Sequence, residues 1–149
     1  MDYQAAFAIS ASGMAVEKTR LDITALNLAN ASSTRSGGAL YQPLTVISAP
    51  RQAAAFSRAM AAYGRVSVAA LPTGAEVVEI RATGAPPRLA YEPAHPDADA
   101  RGYVAYPGIN PVTEMVNIIA ATRAYEANLV ALNAARNMAQ RALDIGGNS

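Results

Sequence analysis

Apolar residues recur every seven positions near the start of the chain, at Phe7, Met14, Leu21 and Leu28. Ala11 and Ala25 follow two of them by four residues and fall on nearly the same side of a helix. No proline lies between Tyr3 and Asn30, so the spacing predicts one long helix with a narrow seam for a partner helix. Ile9, Val16 and Ile23 repeat at the same interval and form a second stripe. Two stripes ask for more than one neighbour, which is more than a simple surface helix needs.

The other end has the same character. Ile118, Ala121, Tyr125, Asn128, Leu132, Ala135, Ala139 and Ala142 advance in alternating steps of three and four. Pro111 suits the first turn of a helix, and Gly146-Gly147 suits its stop, so the helix is expected from Pro111 to about Ile145. Asn128 is the polar exception in this stripe. A buried Asn in a helix seam fixes register at some cost in stability. Its amide is expected to bond either an Asn of the first helix or the backbone of a neighbouring subunit. At about 1.5 Å per residue, each terminal helix would be on the order of 40–50 Å long. Helices of that length outrun the core of a chain this size and want each other or neighbouring subunits.

Between the helices the pattern changes. Ala31-Ser32-Ser33-Thr34-Arg35-Ser36-Gly37-Gly38 reads as a flexible connection. Every proline except Pro111 then falls between Leu40 and Asn110. Leu44-Thr45-Val46-Ile47, Val66-Ser67-Val68 and Val77-Val78-Glu79-Ile80-Arg81 have strand chemistry. Gly74, Gly84 and Pro86-Pro87 punctuate them as turns. The run from Gln52 to Tyr63 is open to a helical or an extended reading. The expected fold class is therefore α+β: an N-terminal helix and linker over 1–36, a small β-rich middle region over 37–110, and a C-terminal helix over 111–149.

Composition narrows the function by subtraction. The chain has 149 residues and a formal net charge of +1, and its only adjacent charged pair is Glu17-Lys18. Bulk electrostatics gives no case for binding nucleic acid or an anionic membrane. With no cysteine, thiolate zinc sites, disulfides and cysteine nucleophiles drop out. No stretch reaches 18 consecutive apolar residues, so no transmembrane helix is expected. Met1-Asp2-Tyr3-Gln4 carries an acid and no base precedes Lys18, which does not match a cleavable secretory signal. Export, if it occurs, would have to read some other signal.

The candidate chemistry is thin. His95 is the only histidine and lies between Pro93 and Pro96, a loop setting without triad or metal partners. Asp97, Asp99 and Gly102 resemble the start of a calcium loop, but Arg101 stands where a third oxygen ligand belongs and no closing Glu follows. The better reading is a turn whose aspartates bond nearby backbone. Glu76 and Glu79, three apart on a strand, face opposite ways. No enzyme, metal site or cofactor is expected.

Two motifs carry a resemblance. Ser12-Gly13-Met14, followed by Leu21-Asp22-Ile23-Thr24-Ala25-Leu26-Asn27-Leu28-Ala29-Asn30-Ala31, resembles the N-terminal motif of the bacterial flagellar rod and hook axial proteins. Glu114-Met115-Val116-Asn117 through Arg123-Ala124-Tyr125-Glu126-Ala127-Asn128 resembles the matching C-terminal motif. Tyr91-Glu92-Pro93-Ala94-His95-Pro96-Asp97-Ala98-Asp99, leading into Gly102-Tyr103-Val104 and Pro107, is similar to the segment before the last helix in the proximal rod members, and the short chain suits that branch. The chain departs from the pattern at Gly108-Ile109-Asn110, where the family usually has an asparagine soon after the proline, and from Gly37 to Tyr63 the match is weak.

The resemblance implies a structural subunit of the proximal rod. Its terminal helices would pair as a coiled-coil-like D0 element. It would be exported unfolded by the flagellar type III apparatus and polymerise into the drive shaft across the periplasm. Its partners would be copies of itself, the other rod proteins FlgB, FlgF, FlgG and FliE, and the export apparatus. The subunit-packing residues are then expected to be Phe7, Met14, Leu21, Asn27, Leu28, Asn30, Ile118, Tyr125, Asn128 and Leu132. Asn27 and Asn30 share a helix face and would contact a neighbouring subunit or loop. The alternative is a soluble helical chaperone or adaptor of the flagellar export system, which would form a defined small oligomer.

Overall fold

A computed structural model of the chain describes residues 3–34, 38–51 and 73–147, with the side chains of 145–147 left aside. The order of elements is α1 (Tyr3–Ala29), β1 (Leu44–Pro50), β2 (Ala75–Ala82), β3 (Arg88–Tyr91), β4 (Tyr103–Tyr106) and α2 (Pro111–Gly147). Two long helices thus flank two small antiparallel sheets, one of β1 with β2 and one of β3 with β4, an α+β fold. The expected strands at Leu44 and Val77 are present. Val66-Ser67-Val68 and the Gln52–Tyr63 run lie outside the described residues. No helix among the described residues is long and apolar enough to cross a membrane.

The helix ends follow from local chemistry. Asn110 caps α2: its side-chain oxygen accepts from Val112 N at 3.0 Å and Thr113 N at 3.4 Å, and its carbonyl accepts from Glu114 N. Pro111 follows at the first helical position, where its missing N–H costs nothing. At the other terminus α1 tightens into three-residue bonds, Asn30 N to Asn27 O and Ala31 N to Leu28 O. The Asn30 and Ser33 side chains satisfy the carbonyls of Leu26 and Asn30 there.

The chain divides into two compact units, one of Met1–Lys18, Ser48–Val78 and Arg123–Ser149, the other of Thr19–Ile47 and Glu79–Thr122. In the first, Val16 and Ala135 are buried, as are the polar Ser10 and Ser12. In the second, Val104 and Pro107 are wholly enclosed, with Ala31, Ile109 and Ala121 also buried. The backbone at Gly108 crosses Ala85-Pro86 so closely that a Cβ there would overlap the Pro86 carbonyl oxygen.

The β3–β4 hairpin was not expected from the sequence. It pairs Arg88 with Tyr106, Leu89 with Ala105, Ala90 with Val104 and Tyr91 with Tyr103. Tyr91 and Tyr103 meet edge to face at 5.3 Å, and the Arg88 guanidinium lies 5.1 Å from the Tyr106 ring centre. In the connection, Asp99 Oδ1 accepts from Arg101 N at 2.8 Å and Tyr103 N at 2.9 Å. Those backbone bonds hold the Asp99 carboxyl below its ordinary range. His95 Nδ1 accepts from Asp97 N at 3.1 Å. This is the turn chemistry expected of the segment, with the aspartate bonded to backbone.

Candidate subunit-packing surface

The expected seam residues of α2 lie on its protected side as far as Ala139, and Ala142 is exposed. Ala121 and Ala135 are buried, and Ile118, Tyr125, Asn128, Leu132 and Ala139 are partly covered. On α1, Phe7, Met14, Leu21 and Leu28 are each partly covered. The opposite side of α2 is not polar over its first turns. Val112, Met115, Val116 and Ile119 recur at helical spacing and are each more than half exposed. Glu114 is the only charged residue between 111 and 122, and it turns toward Asn27.

Two polar residues of α1 and one just past its end do distinct work. Asn27 is only 3% exposed. Its Nδ2 donates to Leu44 O at 2.8 Å and, more weakly, to Glu114 Oε2 at 3.4 Å. Its Oδ1 accepts from Leu44 N at 2.9 Å and from the Tyr41 hydroxyl at 2.8 Å. The amide thus pairs with Leu44 as a strand neighbour would, and joins the end of α1 to the entry of β1 and the first turn of α2. Burial, and then the Glu114 charge, raise the Tyr41 pKa. Asn30, three residues on, bonds only locally, donating to Leu26 O at 2.9 Å.

Ser12 is buried, donates to Ile9 O at 2.8 Å and accepts from Ala75 N at 3.0 Å. It therefore supplies the partner for the first N–H of β2. Gly74 next to it has φ of 136°, a conformation that L residues avoid, and a Cβ there would overlap Ser12 Oγ. Arg51 bonds both Thr73 and Gly74, so two residues face one across the ladder, the count of a β-bulge.

Gly13 explains the polar exception in the α2 stripe. A Cβ at Gly13 would lie 2.9 Å from Asn128 Oδ1 and 3.0 Å from Cγ and Nδ2. The Asn128 amide rests on the bare backbone of α1. Within the chain its hydrogen bond goes to its own helix and not to an Asn of α1: Nδ2 donates to Ala124 O at 2.9 Å. The carbonyl one turn back on the same helix accepts this bond, as short polar side chains in helices commonly arrange. Tyr41, Leu44, Glu114, Ser12 and Gly13 were not singled out as contact residues from sequence. A glycine within a helical pattern costs about 1 kcal/mol against alanine and was the one signal available for Gly13.

Comparison with known proteins agrees with this architecture. Residues 100–145 match the family model described as flagellar basal body rod FlgEFG protein C-terminal. The flagellar basal-body rod protein FlgC of Bacillus subtilis (strain 168) is 34% identical over 142 residues, 93% of this chain and 94% of that protein. The chain belongs to the FlgC family. The FlgC of Escherichia coli O6:H1 is 38% identical over 141 residues, 94% of this chain and 95% of that protein. That of Aquifex aeolicus (strain VF5) is 37% identical over 147 residues, 97% of each. As a FlgC-family member the chain is a structural subunit of the flagellar basal-body rod.

Proposed function

We propose that this rod subunit polymerises through its two terminal helices, each using one side within the chain and another between subunits. The observation that carries this is the second apolar face of α2, where Val112, Met115, Val116 and Ile119 stand exposed on a helix whose seam side is already occupied. An uncharged face of that kind is costly to leave in water and suits close packing against apolar neighbours. On this reading Phe7, Met14, Leu21, Leu28, Ile118, Tyr125 and Leu132 form the seam, with Asn27, Asn30 and Asn128 as its polar members. The neighbours are copies of the chain and the rod proteins FlgB, FlgF, FlgG and FliE. The subunit travels unfolded through the flagellar type III apparatus, joins the shaft that crosses the periplasm and transmits torque, and has a structural and not a catalytic role.

Val116→Asp and Ile119→Asp test this. Both sites are exposed, so the isolated chain should lose no more than about 0.5 kcal/mol. In an assembled rod the same carboxylate would be buried, at a cost of several kcal/mol. Cells carrying either variant should make the protein and fail to swim, with few rods recovered. Normal motility with both variants would refute the assignment of this face.

A further inference from the structure

The apolar seam does not fix how far α1 and α2 slide past each other. Phe7, Met14, Leu21 and Leu28 repeat every seven residues, and so do Ile118, Tyr125, Leu132 and Ala139. A slip of one heptad brings apolar residues back onto apolar residues, at little cost in buried surface. Something else must choose the register.

Two contacts made by asparagine side chains join the helices, one inside each compact unit, the first a steric fit and the second a hydrogen bond. Asn128 rests on Gly13, and Asn27 reaches Glu114. From 13 to 27 is fourteen residues along α1, and from 128 to 114 is fourteen residues back along α2. The two contacts are therefore two heptads apart on both helices and belong to one antiparallel register. We propose that these two contacts are a register key, in which the Gly13 notch receives Asn128 and Asn27 engages the first turn of α2, and that they exclude the heptad-slipped pairings the apolar stripes allow.

A slip spoils both contacts in either direction. One way, Asn128 comes opposite Arg20, and Asn27 comes opposite Ala121, which offers its amide nothing. The other way, Asn128 meets Ala6, whose Cβ fills the space that Gly13 leaves open, and Asn27 comes opposite Pro107, ahead of the helix. In both cases Glu114 loses its amide partner. Asn128 keeps its bond to Ala124 O in any register and Asn27 keeps its short bonds to Leu44 and Tyr41, so the discrimination is one of fit: only at Gly13 is there room for the Asn128 side chain, and only in this register does Asn27 also reach Glu114.

Register can be read in the isolated full chain, independently of whether it polymerises, so failure here leaves the assembly reading untouched. The chain has no cysteine of its own. Lys18 and Arg123 are exposed, and each lies five residues from its member of the Gly13–Asn128 contact, so the two are level in this register. Spin labels at Lys18→Cys and Arg123→Cys should give one short distance by pulsed dipolar spectroscopy. Adding Asn27→Leu and Asn128→Leu should bring in a second population displaced along the axis by about 10 Å, one heptad at 1.5 Å per residue. An unchanged single distance overturns the proposal. So does a featureless distribution in the labelled chain with its key intact, because the contacts then hold nothing. If loss of both amides abolishes pairing altogether, a relocated key decides. Gly13→Ala with Arg20→Gly and Asn27→Leu moves the notch one heptad and must shift the distance to the slipped value. Retention of the original distance in that variant overturns the proposal.

Discussion

Asn27, in the last turn of α1, and Asn30, just past its end, are the same residue type three positions apart, and the fold should treat them very differently. Asn27→Ala removes two bonds to Leu44 at 2.8 and 2.9 Å, one from the Tyr41 hydroxyl at 2.8 Å and the longer one to Glu114. At about 1 kcal/mol net for each of the three short bonds, the loss is roughly 3 kcal/mol. In a chain of this size that lowers the melting midpoint by roughly 6–12 °C. Asn30→Ala removes one exposed bond back to the last turn of α1 and should cost no more than about 0.5 kcal/mol. The assay is urea unfolding of the full chain followed by helix content, with a lowered midpoint and unchanged slope expected for Asn27→Ala. Equal losses for the two variants, or a loss below about 1 kcal/mol for Asn27→Ala, would refute the idea that this amide ties α1 to β1 and α2.

Other consequences are smaller and local. Ser12→Ala leaves the first N–H of β2 without its partner and should cost about 1–2 kcal/mol, with faster hydrogen exchange at Ala75; slow exchange there would show that the hydroxyl is dispensable. Gly74→Ala should be worse than Ser12→Ala, since it adds a strained φ to an overlap with Ser12 Oγ; a better-tolerated alanine would contradict the close approach. The pKa of Asp99 is lowered on folding, so its stabilisation of the hairpin connection is full above the ordinary aspartate range and is lost as pH falls through its lowered folded value, below about 4. The Arg101 and Tyr103 amides should then exchange faster relative to their intrinsic rates, and protection that does not change across that range would count against the bonds to Asp99.

The helices were legible because heptad spacing and the absence of proline are properties of long segments. The β-branched runs at Leu44 and Val77 announced β1 and β2 for the same reason. Arg88–Tyr91 and Tyr103–Tyr106 are four residues each, set among prolines and separated by an eleven-residue connection, too short for alternation to stand out. Their pairing depends on Val104 being enclosed, which is a tertiary fact. The polar contacts were legible only as residue types. Asn27 and Asn128 stand out in an apolar helix, but their partners at Leu44 and Gly13 are set by how the segments meet, and Ser12 shows its role only through Ala75. Asn128 shows the limit plainly: the need for a hydrogen bond was readable, and the donor's choice of Ala124 O was not.

The most direct test of the whole account is a side-chain-resolution map of the assembled basal-body rod containing this subunit. The account predicts that Val112, Met115, Val116 and Ile119 are covered by helices of neighbouring subunits, while Asn27 keeps its bonds to Leu44 within its own chain. A map in which those four residues face solvent, and subunits meet only through the β-rich middle region, would contradict it.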